Sequence, residues 1–259
     1  MKTSAIQFTG SHGHDLAARV DKPDQGEPAI FALVAHCFTC SKDYKGIVNI
    51  ARTLTGLGWG VFRFDFTGLG QSGGRFEETT FTSNVEDLLA AARHMEQHYA
   101  APRLLLGHSL GGAAVLQAAG FIPSCAAVVT LAAPHDPGHL ADLLSRVNED
   151  IEIAGEADVI IGGKTYRIRK SFLESLRHDN WNEVVAGLDR ALLILHSPKD
   201  ETVSIDNASK LFQAARHPKS FVTLDTADHL LSDERDARYV GEVIAAWASR
   251  YIAKEGNAE

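Results

Sequence analysis

The chain has 259 residues, of which 45% are hydrophobic and 22% charged, a composition typical of a globular protein with a substantial core. Its formal net charge of −8 argues against a nucleic-acid partner, because a polyanion requires a basic surface. The N-terminus lacks an apolar signal core and no apolar run approaches ~18 residues, which predicts a soluble cytoplasmic protein that does not bind a membrane.

The predicted elements alternate between strands and helices. Residues 4–20 predict an antiparallel hairpin that turns at "GSHGH". Later strands are expected at 29–36, 60–66, 103–108, 126–133, 191–197 and 220–224, and helices at 44–57, 82–99, 109–120, 205–215 and 236–251. Apolar strands that alternate with helices predict an α/β fold, in which helices cover both faces of a mostly parallel sheet and the hairpin extends one edge.

Residues 134–189 interrupt the alternation, because a simple crossover between two strands should be shorter. Within them, "DVIIGGKTYRIR" predicts a hairpin that turns at Gly162-Gly163, and "SFLESLRHDNWNEVVAGL" predicts helical segments. We therefore divide the chain into a core, 1–133 and 190–259, and an inserted cap, 134–189. The cap should lie at the carboxyl ends of the strands, where loops build substrate sites.

The stretch "LLLGHSLGGAAV" places Ser109 between a predicted strand and a predicted helix. Such a turn must be tight enough to push the serine side chain beyond the sheet, which requires glycine at positions 107 and 111. The sequence matches G-x-S-x-G in the strand-turn-helix context that makes this serine a nucleophile. A glycine-rich helix entry without chemical significance is the alternative.

A serine nucleophile needs a base and an acid that orients the base, and in this fold they follow in the order Ser, Asp or Glu, His. His229 follows the last predicted strand, and Asp200 follows the strand before it. Both stand at carboxyl ends of strands, where catalytic groups of such sheets collect. Asp225 is the alternative acid.

Two main-chain N–H groups are predicted to stabilise an oxyanion. One belongs to Leu110, directly after the nucleophile, and the other to Phe38 in the loop "HCFTCSKD". Asp65, in "RFDFTGLGQSGG", is expected to accept hydrogen bonds from loop N–H groups as structural support.

The three cysteines do not predict a disulfide framework, because their number is odd and the chain is large enough to fold without one. Cys37 and Cys40 have CxxC spacing, but a metal or redox site would need a second ligand pair or a thioredoxin-like context. We therefore expect no metal, no cofactor and no functional thiol at this pair.

The motifs "HCFTCSKD", "RFDFTGLGQSGG", "GHSLGG", "HSPKDETV" and "ADHLLS" occur in the order typical of the α/β-hydrolase superfamily, which the chain resembles over nearly its whole length. Through "HCFTCSKD" and "IGGKTYRIRKSFLESL" it resembles the hydrolase half of bacterial proteins that fuse an α/β hydrolase to an OsmC-like domain. The peroxide-reducing OsmC half has no counterpart in these residues, so peroxidase activity is not expected. "RFDFTGLGQSGGRFEE" is similar to cinnamoyl and feruloyl esterases.

The resemblance implies a carboxylesterase but does not name the substrate. From the position of the cap above Ser109, we expect short to medium or aromatic acyl groups. Ile160, Phe172 and Trp181 of the cap are the candidate substrate-binding residues. The same three catalytic residues would also serve a thioesterase, an acyltransferase, a carbon–carbon hydrolase or a peptidase, and a non-catalytic binding protein is a further alternative. The cap could instead form a homodimer through its hairpin edges.

Overall fold

The structure, a computed structural model, describes residues 1–177 and 180–252. The strands are β1 (Lys2–Thr9), β2 (Asp15–Lys22), β3 (Ile30–Ala35), β4 (Trp59–Phe64), β5 (Leu104–His108), β6 (Ala127–Leu131), β7 (Glu156–Ile161), β8 (Lys164–Arg169), β9 (Ala191–His196) and β10 (Lys219–Thr223). The helices are α1 (Lys45–Gly56), α2 (Phe81–His98), α3 (Leu110–Ala119), α4 (Gly138–Val147), α5 (Asp150–Ile153), α6 (Lys170–Leu176), α7 (Trp181–Ala186), α8 (Asp206–Ala214) and α9 (Glu234–Ala248), with a short 3₁₀ helix at Phe76–Glu78.

Eight strands form one sheet in the order β1-β2-β4-β3-β5-β6-β9-β10. β1 and β2 pair antiparallel, as do β2 and β4, and the remaining neighbours pair parallel. The predicted α/β fold, with a mostly parallel sheet and an N-terminal hairpin at one edge, is therefore confirmed. The strand order places the carboxyl ends of β3, β5, β6, β9 and β10 side by side.

Both faces of the sheet are covered, which explains why β3, β4, β5, β6 and β9 are buried along their whole length. Leu54 of α1 and Ile244 of α9 belong to the apolar cluster on one face. Leu88 of α2 and Val115 of α3 belong to the cluster on the other face, which also contains Phe172 of the predicted cap. The predicted cap thus shares the apolar core of the main domain.

Between β6 and β9 the chain forms the predicted hairpin, β7 and β8, which turns at Gly162-Gly163. The predicted helical segments appear as α6 and α7, whereas His178 and Asp179 between them lie outside the described residues. Helices α4 and α5 were not predicted. Helix α2 begins one residue earlier than expected, because Thr80 and Ser83 form a capping box.

No helix in the described ranges has the length and apolarity needed to cross a membrane.

Candidate active site

Ser109 lies in a sharp turn between β5 and α3, with φ 54° and ψ −124°. A positive φ is uncommon for a residue other than glycine and indicates a backbone held under strain. The glycines at 107 and 111 permit the turn, because a Cβ at Gly107 would clash with the main chain of Gly111 and one at Gly111 would lie 2.5 Å from the His36 oxygen. Leu110 is the first residue of α3, whose first N–H groups have no partner within the helix.

Asp200 and His229 come together at the neighbouring strand ends. The Nδ1–H of His229 donates to Oδ2 of Asp200 over 2.7 Å, and the main-chain N–H groups of Thr202 and Val203 donate to Oδ1 over 2.9 and 2.8 Å. Burial alone would raise the pKa of the Asp200 carboxyl, but hydrogen bonds from His196, His229 and Val203 hold that pKa well below its usual range. Asp200 is therefore a carboxylate at neutral pH, and its bond fixes the orientation of the His229 ring.

His108, the residue before Ser109, contacts the loop of His229. Its Nε2 lies 2.8 Å from the main-chain oxygen of His229, and the two rings are 5.0 Å apart. Since a carbonyl oxygen can only accept, Nε2 carries the proton. Burial, assisted by the neighbouring His229, lowers the pKa of His108 to about 3, so the ring is neutral at ordinary pH.

Because of this low pKa, the free energy of unfolding should decrease on acidification. Between about pH 6.5 and about pH 3 the unfolded chain protonates His108 while the folded chain does not, so stability is lost as pH falls through this window, by at most about 1.4 kcal/mol per pH unit for one proton. His108→Gln, which keeps a donor for the His229 oxygen, should show a shallower pH dependence in urea unfolding. The exposed His139→Gln is the control, and equal slopes for wild type and His108→Gln would contradict the prediction.

The loop after β3 contains Phe38 and differs from the sequence expectation in one respect. Cys37 and Cys40 form a disulfide, which the absence of a predicted disulfide framework did not anticipate. The cause is local: a turn in which the Cys40 N–H donates to the Cys37 oxygen over 3.1 Å, with Thr39 at φ 61°, brings the two Cα atoms within 5.3 Å. This separation suits a disulfide, and a local bridge of this kind does not require a disulfide framework elsewhere.

His36 and Lys42 fix the two ends of this loop. The Phe66 N–H donates to Nε2 of His36 over 3.3 Å, so Nδ1 carries the proton and donates to the Cys37 oxygen over 2.7 Å. At the other end, the buried Lys42 ammonium donates to Oδ2 of Asp65 over 2.7 Å.

Asp65 also accepts from the main-chain N–H groups of Lys42, over 2.6 Å, and Gln71, over 2.8 Å. The expectation that Asp65 supports the loops is confirmed. Since Lys42 and Asp65 are both buried, removing Lys42 would leave the Asp65 carboxylate in the core without its cationic partner.

Aromatic side chains connect the predicted cap to the loop of Phe38. Phe172 of α6 stacks on Phe38 with ring centroids 5.3 Å apart, and Phe76 lies 5.8 Å from Phe38 and 6.2 Å from Phe172. The Tyr166 hydroxyl of β8 donates to the Thr39 oxygen over 3.2 Å. Helix α6 and strand β8 therefore lie beside the predicted oxyanion loop.

The three candidate substrate residues have different surroundings. Phe172 is buried beside Phe38, and Trp181 is buried with its ring edge against Phe81, 5.7 Å between centroids. Ile160 is 74% exposed on the hairpin, and the structure does not bring it together with the other two.

Phe38 and Leu110 line the same small cavity, about 10 Å³ in volume, together with Phe76 and Ala114. The two predicted oxyanion donors thus belong to residues that face one space beside the turn of Ser109.

Sequence reasoning missed His108 and Lys42. His108 occupies the variable position of G-x-S-x-G, and its partner is 121 residues away in the chain. Lys42 stands at the end of the loop "HCFTCSKD", where no local sequence signal distinguishes a buried lysine from an exposed one. Within the ranges described, no group of three or more His, Cys, Asp or Glu side chains is placed to hold a metal ion.

Comparison with known proteins gives both sequence and structural matches. Residues 32–140 match the family described as "Serine aminopeptidase, S33". Human monoglyceride lipase is 35% identical over 140 residues, which cover 53% of this chain and 40% of the lipase. "Uncharacterized protein YfhR" of Salmonella typhimurium is 26% identical over 179 residues and 69% of this chain, and the matched residues span 57% of that relative's length.

Among solved structures, the esterase domain of a Rhodothermus marinus protein is 47% identical, with a TM-score of 0.78 over 97% of this chain and 99% of that chain. Est1E from Butyrivibrio proteoclasticus, solved with ferulic acid bound, is 22% identical, with a TM-score of 0.84 over 96% of this chain and 100% of that chain. The likeness to Est1E concerns the fold alone. The likeness to the Rhodothermus esterase domain extends to sequence over nearly both chains.

Proposed function

Because the chain belongs to the α/β-hydrolase superfamily and is a hydrolase of the esterase type, we propose that it cleaves carboxylic esters through Ser109, His229 and Asp200. The observation that carries this proposal is the hydrogen bond of 2.7 Å between His229 and Asp200. These two residues follow neighbouring strands at the carboxyl end of the sheet, the same end at which Ser109 occupies its strained turn. Nucleophile, base and orienting acid are the three groups that acyl transfer to serine requires.

In the proposed mechanism, Nδ1–H of His229 stays bonded to Asp200, so Nε2 is the nitrogen free to accept the Ser109 proton. The serine oxygen attacks the ester carbonyl, and the protonated imidazole then gives its proton to the departing alcohol. A water molecule, deprotonated by the same imidazole, then attacks the acyl carbon. The bond to Ser109 breaks, the acid leaves, and the imidazolium returns its proton to the serine oxygen. The Asp200 carboxylate stabilises the imidazolium in both steps.

The negative oxygen of each tetrahedral intermediate is assigned to the main-chain N–H groups of Leu110 and Phe38. Leu110 begins α3, where the helix dipole adds positive potential. The disulfide of Cys37 and Cys40 spans Phe38, and His36 holds the Cys37 carbonyl, so the second donor belongs to a constrained loop. Donors held in advance stabilise a developing charge without a reorganisation cost.

For the substrate, we propose that short acyl groups are preferred. Phe38 and Phe76 line the cavity beside Leu110, which holds about 10 Å³, and Phe172 stacks on Phe38. A longer or aromatic acyl group would have to displace the Phe172 side chain. The predicted cap therefore sets the acyl length through α6.

Phe172→Ala should shift activity towards longer acyl chains, because it removes the ring stacked on Phe38. Across nitrophenyl acetate, butanoate, hexanoate and octanoate, the ratio of kcat/KM for hexanoate to that for acetate should rise about tenfold or more, the effect expected of a methylene or two in a pocket. Since Phe172 is buried, Phe172→Leu is a milder second variant, and Phe121→Ala, 70% exposed, is the control. An unchanged profile in both Phe172 variants would contradict this substrate assignment.

The ester assignment itself is tested by comparing esters with amides on the purified protein. Nitrophenyl and hydroxycinnamoyl esters should be hydrolysed, with the short nitrophenyl esters fastest. Aminoacyl anilides are the substrates that the name of the matched family, a serine aminopeptidase, implies. They should be turned over far more slowly. Faster cleavage of the anilides would favour a peptidase. Cleavage of neither class would count against the ester assignment.

A further inference from the structure

A second cavity, about 570 Å³ in volume, lies at the opposite end of the sheet from Ser109. Arg103, Arg190 and Pro218 line it, and they directly precede β5, β9 and β10, so the cavity opens at the amino ends of these strands. The length of β5, five residues at about 3.3 Å each, separates this end from the turn of Ser109 by roughly 16 Å. The cavity therefore does not belong to the proposed ester site.

The cavity is lined by three arginines, Arg103, Arg190 and Arg216, and by one acidic residue, Asp189. The side chain of Asp189 is 99% exposed, and its carboxylate lies 3.8 Å from Nη1 of Arg190, which donates instead to the Asp189 main-chain oxygen over 2.7 Å. Exposed pairs of this length contribute little. Among the described residues, the structure gives Arg103 and Arg216 no salt bridge.

Two of these guanidinium groups are partly withdrawn from water. The Nε atoms of Arg103 and Arg190 are buried and have no hydrogen-bond partner in the structure. Buried donors of this kind are uncommon in folded proteins, and each costs free energy until a ligand or water accepts a hydrogen bond from it.

The sheet brings these two arginines to the same place. The Ala126 N–H donates to the Arg103 oxygen over 3.0 Å, and the Ala191 N–H donates to the Ala126 oxygen over 3.2 Å, so one strand position lies between the two arginines. Two strand spacings place their Cα atoms about 10 Å apart. At this separation both arginine side chains can contact the same ligand.

The surroundings of Cys125, which also lines the cavity, indicate that the side chains of Arg103 and Arg190 lie close together. Burial raises the pKa of its thiol to about 11, and Arg190 and Arg103 both act against that rise, so the positive charges of both side chains reach this point. The thiol stays protonated at neutral pH and is not a candidate nucleophile.

From these observations we infer that the cavity binds a small molecule that carries a phosphate group, at a site separate from ester cleavage. Planar guanidinium groups bind phosphate oxygens in pairs, and a dianion matches an excess of positive charge better than a carboxylate does. The volume lies within the range of about 300–1,000 Å³ that is usual for small-molecule sites. Arg103, Arg190 and Arg216 outnumber the one acidic residue in the lining, which favours an anionic ligand over an uncharged one.

The test is calorimetric titration of the purified chain with inorganic phosphate and with pyrophosphate, at constant ionic strength set by chloride. We expect saturable binding of one phosphate group per chain, and an affinity at least tenfold lower in the double variant Arg103→Ala/Arg190→Ala. Arg238→Ala, a 73% exposed arginine on α9, should bind as the wild type does. Hydrolysis of nitrophenyl acetate should be unchanged in all three proteins, since no arginine of the cavity takes part in ester cleavage.

If the alanine variant does not fold, as circular dichroism would show, Arg103→Lys/Arg190→Lys keeps both charges but removes the paired donors, and it should still weaken phosphate binding several-fold. The inference is overturned if phosphate does not bind above the chloride background. It is also overturned if Arg238→Ala weakens binding as much as the cavity variants do.

Discussion

Ser109→Ala is expected to reduce kcat for ester hydrolysis by roughly 10⁴-fold or more, since removal of a serine nucleophile leaves only the catalysis supplied by binding and the oxyanion donors. Labelling by a fluorophosphonate, which reacts with an activated serine hydroxyl, should disappear in the same variant. The fold should be kept, because the change removes only one oxygen atom. The backbone strain at position 109, with φ 54°, is already present with serine and is not introduced by the substitution. Activity against nitrophenyl acetate and labelling followed by mass spectrometry measure both effects.

Ser209→Ala is the matched control, because Ser209 is an exposed serine on α8 away from the strand ends. It should retain wild-type turnover and labelling. Full activity in Ser109→Ala would refute the proposed mechanism, whatever the substrate. Loss of activity together with loss of the circular dichroism signal would instead indicate a folding defect, and urea unfolding of the two variants separates these outcomes.

Much of this site could be predicted because its signals are local. The turn around Ser109 requires glycine at specific positions, and the same glycines identify it in the sequence. The alternation of strands and helices indicates which residues follow strand ends, and this position alone distinguishes His229 and Asp200 from the other histidines and acids. The rule that active groups collect at carboxyl ends of parallel strands supplied the long-range information that the sequence lacks.

The parts that were missed depend on contacts between distant residues. The bond between His108 and the His229 oxygen joins residues 121 positions apart, and neither neighbouring sequence requires it. The pairing of the buried Lys42 with Asp65 likewise depends on where two loops meet. The disulfide is hard to predict for a different reason: CxxC spacing is visible in the sequence, but whether Cys37 and Cys40 approach each other depends on the turn at Thr39.

Asp200→Asn is expected to lower kcat by on the order of 10⁴, the loss seen when the acid of such a triad becomes an amide. The structure gives a specific reason. The N–H groups of Thr202 and Val203 both donate to Oδ1, so an asparagine at this position would place its oxygen there and turn its NH₂ group towards Nδ1 of His229. A donor facing Nδ1 forces the ring proton onto Nε2, and that nitrogen can then no longer accept the Ser109 proton.

Asp225→Asn is the matched control, because Asp225 is an exposed carboxylate four residues before His229 and was the alternative acid in the sequence. It should keep activity within a few-fold of wild type, and the pair of variants assigns the acid by direct comparison. Asp200→Asn should also remain labelled by a fluorophosphonate, but much more slowly than wild type, because Ser109 keeps its position and loses only its base. Near-normal activity in Asp200→Asn alongside a large loss in Asp225→Asn would reverse the assignment. A large loss in both would mean that the loop before His229, rather than one carboxylate, determines the orientation of the imidazole.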